Sequence, residues 1–134
     1  MKISMKGKYA LRLMLDLAEN DCCGSVSLKD IAAREGISEK YLEQVVSLLN
    51  KTGLVKSIRG PQGGYQLMRK PYDYKVGEIL RITESSLLKD TEPEEDISAI
   101  LWNQMDEAVS SVIDTVTLED MLNWKKENAY NYFI

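Results

Sequence analysis

The sequence predicts a mainly α fold with one small β-hairpin (α+β), a winged helix-turn-helix followed by a long C-terminal helix, and three observations predict it. Two short helical patterns flank a break at Gly36. The glycine-rich run Arg59-Gly60-Pro61-Gln62-Gly63-Gly64-Tyr65 lies between two strand-like runs and reads as the tip of a wing. An apolar stripe then recurs at helical spacing over residues 97–116.

Taken in order, Tyr9, Ala10, Leu13, Met14 and Leu17 form the stripe of a first helix, and Lys2, Lys6, Lys8 and Arg12 make its start basic, which suits phosphate clamping. Ser27, ahead of Lys29-Asp30, caps a short second helix whose Leu28, Ile31 and Ala32 face inward. Gly36 ends it, Ile37 anchors the turn, and Ser38 caps a third helix. The apolar set of that helix, Leu42, Val45, Val46 and Leu49, falls at offsets of three, four and seven.

The opposite face of the third helix carries Ser38, Lys40, Glu43, Gln44, Ser47 and Lys51, with Tyr41 beside them. These residue types can bond base edges or phosphates from a helix laid in a major groove. A small bundle with a solvated polar face would give the same pattern, and the hairpin that follows is what favours DNA. Residues 53–59 end the helix and begin a strand with Val55 inward, and residues 65–68 return as its partner. Three glycines and a proline let the tip turn sharply and approach a groove, while Arg59 brings a cation to it. The expected DNA contacts are therefore Lys6, Ser38, Lys40, Tyr41, Glu43, Gln44 and Ser47, with Arg59, Gly60, Gln62, Gly63, Gly64 and Tyr65 from the wing.

The second half reads as an assembly element. Ile97, Leu101, Met105, Ala108, Val112 and Val116 fall at spacings of four, four, three, four and four, and Ile100, Val109 and Ile113 widen the stripe. One long helix is implied. A chain this small has little else to cover so broad a stripe, so a second copy is the economical partner, and a twofold dimer matches a palindromic operator. The expected organisation is a DNA-binding domain over 1–82, an acidic loop over 83–96, a dimerisation helix and short following helix over 97–124, and a tail over 125–134.

The order Met1-Lys2-Ile3-Ser4, Lys6-Gly7-Lys8-Tyr9-Ala10, Ile37-Ser38, Tyr41-Leu42-Glu43-Gln44, Gly53-Leu54-Val55 and the wing closely resembles the Rrf2 family of winged-helix regulators. The likeness continues through Val76-Gly77-Glu78-Ile79 and Thr117-Leu118-Glu119-Asp120, so it covers nearly the whole chain. The resemblance implies a homodimeric transcriptional regulator that binds double-stranded DNA, with the 97–116 helix at the dimer interface. It is greatest to the branch that represses cysteine-metabolism genes.

Charge agrees once it is divided. The formal net charge is −4, but residues 1–81 carry 14 Lys+Arg against 9 Asp+Glu, while residues 82–134 carry 3 against 12. The basic half is the half with the DNA motifs, and the acidic half repels non-specific polyanion contact. At 134 residues the chain can bury a core. No apolar run is long enough to cross a membrane and no signal peptide opens the chain, so the expected location is the cytoplasm.

Cluster-binding members of the family carry three cysteines just before or at the start of the dimer helix, because thiolates are the usual iron–sulfur ligands. Here residues 84–96 hold no cysteine, and the protein has no histidine and two cysteines, Cys22 and Cys23. A cluster, or any other cofactor or metal, is therefore not expected; an acidic stretch of this kind is ordinarily just a solvated loop. Cys22 and Cys23 read either as an incidental surface pair or as a redox switch. Catalysis lacks its parts: there is no histidine, no recognisable nucleophile elbow and no nucleotide-binding phosphate loop, so no enzyme is expected.

The terminal Asn128-Ala129-Tyr130-Asn131-Tyr132-Phe133-Ile134 is too aromatic to be left in water and should dock, either on its own dimer or on a partner. By the resemblance, Tyr130, Tyr132, Phe133 and Ile134 would enter O-acetylserine thiol-lyase, the cysteine-synthesising enzyme, as a carboxylate-bearing tail. A regulatory subunit of a cysteine-synthase complex is thus the alternative to a repressor acting alone.

Overall fold

The computed structural model describes residues 2–84, Leu87 and 96–132, with side chains described as far as Asn128. Among these residues, six α-helices and one hairpin follow in the order α1 (Met5–Glu19), α2 (Leu28–Glu35), α3 (Glu39–Lys51), β1 (Val55–Ile58), β2 (Gly64–Leu67), α4 (Val76–Thr83), α5 (Ser98–Ile113) and α6 (Leu118–Tyr132). The winged helix-turn-helix expected from the sequence is present.

The caps are where the sequence places them. Ser4 Oγ accepts from Gly7 N, Ser27 Oγ from Asp30 N and Ser38 Oγ from Tyr41 N, each satisfying an orphan donor of a first turn. Gly36, in the left-handed region at φ 66°, ends α2 and turns the chain into α3. The core collects Ala10, Leu13, Met14 and Leu17 of α1, Ile31 of α2, and Leu42, Val45, Val46 and Leu49 of α3. Val55 and Leu67 close it from the hairpin, Ile79 from α4 and Leu118 from α6.

Three long-range devices lock these elements. Tyr74 is fully buried, and its hydroxyl accepts from Met68 N (2.7 Å) and Arg69 N (3.0 Å) while donating to Leu54 O (2.7 Å). One phenol thereby ties both ends of the hairpin to the core. Arg34 of α2 forks onto Asp16 of α1, whose side chain is only 2% exposed. Glu84, buried just past α4, accepts from Ser4 Oγ at 2.8 Å, and a Cβ on Gly7 would lie 2.7 Å from its Oε1, so α1 and α4 cross at a glycine.

In the C-terminal part the first helix ends earlier than the apolar stripe predicts. α5 stops at Ile113, and Thr117 and Asp120 cap α6 reciprocally, Thr117 N donating to Asp120 Oδ2 (2.9 Å) and Asp120 N to Thr117 Oγ1 (3.0 Å). Val116 lies in the intervening turn, its carbonyl accepting from Val76 N at 2.9 Å, so it is not part of the helical stripe. The following helix is as long as α1 rather than short: it runs to Tyr132 and packs back on α1, where Lys125 Nζ donates to Glu19 Oε1 at 2.6 Å. Residues 85–86 and 88–95 of the acidic loop lie outside the described residues.

Candidate nucleic-acid interface

α3 divides into two faces. Leu42, Val45, Val46 and Leu49 are buried, which turns Lys40, Glu43, Gln44 and Ser47 outward, all exposed. Together they offer a cationic donor, an anionic acceptor, an amide and a hydroxyl, a set able to read base edges. Two residues expected on that face do other work. Ser38 is committed to its cap, and the Tyr41 ring is half-buried edge-on to Tyr9, centroids 5.2 Å apart, where it joins α3 to α1.

The wing pairs β1 with β2 antiparallel, Val55 opposite Leu67 and Ile58 opposite Gly64. The sequence reading missed a third segment at the hairpin: Val26 N donates to Tyr65 O (2.9 Å) and Tyr65 N to Val26 O (2.8 Å), so the segment entering α2 is laced to the hairpin. That bridge explains Gly64, and the tip of the hairpin explains Gly63. A Cβ on Gly64 would sit 2.2 Å from Val26 O, and one on Gly63 would sit 2.3 Å from Ile58 O. Gly60 holds φ 119°, and Gly63 N closes the tip on Gly60 O at 2.9 Å. These glycines build the hairpin itself, beyond the groove approach inferred for them. Arg59, Gly60, Pro61 and Gln62 are exposed at the tip; Tyr65 is half-buried against the core.

Lys6 is exposed in the first turn of α1, free to meet a phosphate. Arg12 is not equivalent to it: its guanidinium pairs with Glu35 Oε1 at 3.3 Å and also donates to the Glu35 carbonyl, which fixes α1 to the end of α2.

A second surface lies on α5. Ile97 is 85% exposed, Leu101 51%, Met105 53% and Val112 59%, and Ala108 is exposed beside them. Of the stripe, Ile113 and the half-buried Val109 turn inward onto Val76 and Leu80 of α4. Arg81 anchors that junction with two hydrogen bonds to Asp114, Nη2 to Oδ2 at 2.8 Å, and holds the Asp114 carboxyl below the usual range.

Cys22 and Cys23 are exposed on a short 3-10 turn, Asp21–Cys23, with their sulfurs 2.7 Å apart. The hydrogen bond shared with Cys22, and then the charge of that neighbour, push the Cys23 thiol up.

A capped recognition helix with an exposed polar face, beside a glycine-tipped hairpin, defines a DNA-binding transcriptional regulator of the winged helix-turn-helix class. Residues 3–124 match the Rrf2 family, described as iron-dependent transcriptional regulators. The chain belongs to the Rrf2 family.

It is 43% identical to the HTH-type transcriptional regulator CymR of Bacillus subtilis, across the whole of both chains. The solved structure of that protein, the global cysteine regulator of its organism, superposes with a TM-score of 0.83 over 92% of this chain and 98% of its own. The structure of IscR from T. potens gives the same TM-score at 46% identity, over 96% of this chain and 90% of that one.

The sequence carries two cysteines, adjacent to each other, and no histidine. Among the described residues no group of three or more histidine, cysteine, aspartate or glutamate side chains is placed to hold a metal ion. Nor is any described helix long and apolar enough to cross a membrane.

Proposed function

We propose that the chain is a homodimeric repressor of cysteine- and sulfur-metabolism genes that binds a palindromic operator without an iron–sulfur cluster. The observation that carries this reading is the coexistence of two outward surfaces on one chain, the polar face of α3 and the uncovered apolar face of α5. An apolar face of this extent is unfavourable in water and favours pairing, and pairing about a twofold axis presents two recognition helices to two half-sites. The assignment to sulfur metabolism is supported by the full-length identity to the cysteine regulator of B. subtilis.

In this mechanism Lys40, Glu43, Gln44 and Ser47 meet base edges and phosphates in the major groove, and Lys6 meets the backbone. Arg59 at the tip of the wing enters the adjacent minor groove, where narrow A·T-rich segments concentrate negative potential. The acidic second half, facing away from the duplex, suppresses indiscriminate binding.

Control of the repressor is assigned to a complex with a partner enzyme, which O-acetylserine dissociates. The tail residues Tyr130, Tyr132, Phe133 and Ile134, whose side chains lie outside the described residues, would occupy the carboxylate pocket of O-acetylserine thiol-lyase, with O-acetylserine competing for it. This part rests on the family resemblance. Titration calorimetry decides it: a protein lacking residues 132–134 is expected to lose the enzyme and keep its DNA. Equal affinity for the enzyme in both proteins would remove the tail from the mechanism.

The DNA reading is tested by gel shift with duplexes from upstream of sulfur-assimilation genes and a scrambled control. A shift at least about 10³-fold tighter on a sulfur-gene duplex is expected. Equal affinity for the scrambled control would refute an operator-specific regulator.

A further inference from the structure

We propose that Cys22 and Cys23 form a chelating site for trivalent, thiol-seeking metalloids such as arsenite and monosubstituted arsenicals, and that closing a ring over the pair displaces the wing. The second half of this proposal rests on the DNA-binding reading above; the first does not.

Neighbouring side chains on extended backbone point to opposite faces. The 3-10 turn Asp21–Cys23 instead brings both sulfurs to one side, 2.7 Å apart and open to solvent. Two thiols on one side of a turn can both reach a trivalent arsenic centre once they part slightly, and arsenic is a soft acceptor that takes sulfur in preference to the carboxylate oxygens nearby. They are the two cysteines of the chain, so a two-thiol adduct has one place to form.

The chemistry needs no oxidant. With an organoarsenic oxide, two arsenic–sulfur bonds form and the arsenic–oxygen bond breaks. Both thiol protons leave with that oxygen as water, and arsenic stays trivalent throughout.

The turn is wired to the wing. Cys23 N donates to Asn20 O at 3.0 Å, Gly24 then takes φ 83°, Ser25 Oγ donates to Gln62 O at the wing tip (2.7 Å), and Val26 forms its two-bond rung with Tyr65. Beside the turn lies a cavity of about 110 Å³ between Leu17, Asp21 and Gly24 on one side and Tyr65, Gln66 and Leu67 on the other. The turn therefore has room to move when the ring closes. Any movement pulls on the two contacts that position the tip.

The test uses the reduced full-length protein with phenylarsine oxide at equimolar ratio, read by intact mass. One adduct per chain is expected, with the mass of the reagent less one water, stable to excess glutathione and released by a dithiol. Cys22→Ser and Cys23→Ser should each lose the glutathione-stable adduct. Absence of the adduct, or its survival in either single variant, overturns the site. Operator affinity is then measured by anisotropy: the adduct should bind roughly tenfold more weakly, the effect of one lost groove contact, while the double serine variant is indifferent to the reagent. An adduct that forms and leaves affinity unchanged overturns the coupling. If the untreated protein binds no operator, the DNA-binding reading has failed, and the mass result still decides the site.

Discussion

Arg34 holds Asp16 through two parallel hydrogen bonds, Nε to Oδ2 at 3.0 Å and Nη2 to Oδ1 at 2.7 Å, joining the first helix of the helix-turn-helix to the helix behind it. The pair is lopsided: the Asp16 side chain is buried, whereas Arg34 remains about half in water. Arg34→Ala should therefore cost about 2–4 kcal/mol, because it leaves a buried carboxylate poorly paired, somewhat below the penalty for a fully buried pair. Asp16→Ala should cost less, about 1–2 kcal/mol, since the freed guanidinium can hydrate. Urea denaturation of both variants checks the order, and equal or reversed losses would contradict it.

Tyr74 is the second point at which one side chain decides tertiary structure. Tyr74→Phe keeps the ring, and with it the Arg69 guanidinium 4.3 Å from the ring centroid, but leaves Leu54 O, Met68 N and Arg69 N without their shared partner. The expected loss is about 2–4 kcal/mol. Amide exchange at Met68 and Arg69 should accelerate selectively. An unchanged unfolding midpoint would show that water replaces the hydroxyl.

Neither residue could be assigned this role from sequence, because each acts across the fold. Ser27, Ser38 and Gly36 were legible since a cap or a stop is written within four residues, and the stripe of α3 was legible since its period is local. The bridge Val26 makes to Tyr65 and the return of α6 onto α1 through Lys125 and Glu19 depend on which elements meet, which periodicity does not state. The end of α5 was a different kind of miss. Thr117-Leu118-Glu119-Asp120 carries a Thr-x-x-Asp helix start, but the apolar spacing running through Val116 placed the end of α5, at Ile113, too late. Of the candidate interface, the outward residues of α3 and the wing tip were readable, while the packing of Tyr41 on Tyr9 and the pairing of Arg12 with Glu35 were not.

Glu43, exposed on α3, can accept from cytosine N4 while repelling phosphate. Glu43→Ala should relax discrimination at one or two positions per half-site by ~1–3 kcal/mol and leave non-specific binding equal or tighter. Competition titrations with single-base operator variants measure it. A uniform loss over all sequences would count against a reading role.

Arg59, exposed at the wing, should matter most where the flanks are A·T-rich. Arg59→Ala is expected to weaken binding on such operators and to reduce the slope of log affinity against log salt by roughly one unit. An unchanged slope together with an unchanged flank preference would place Arg59 outside the groove.

The central claim, two copies of this chain reading DNA through α3, is tested most directly by selecting bound duplexes from a random-sequence pool and sequencing them. The expected result is enrichment of a palindrome whose half-sites are centred about one helical turn, or a multiple of it, apart. No enrichment, or an enriched site without twofold symmetry, would contradict the account.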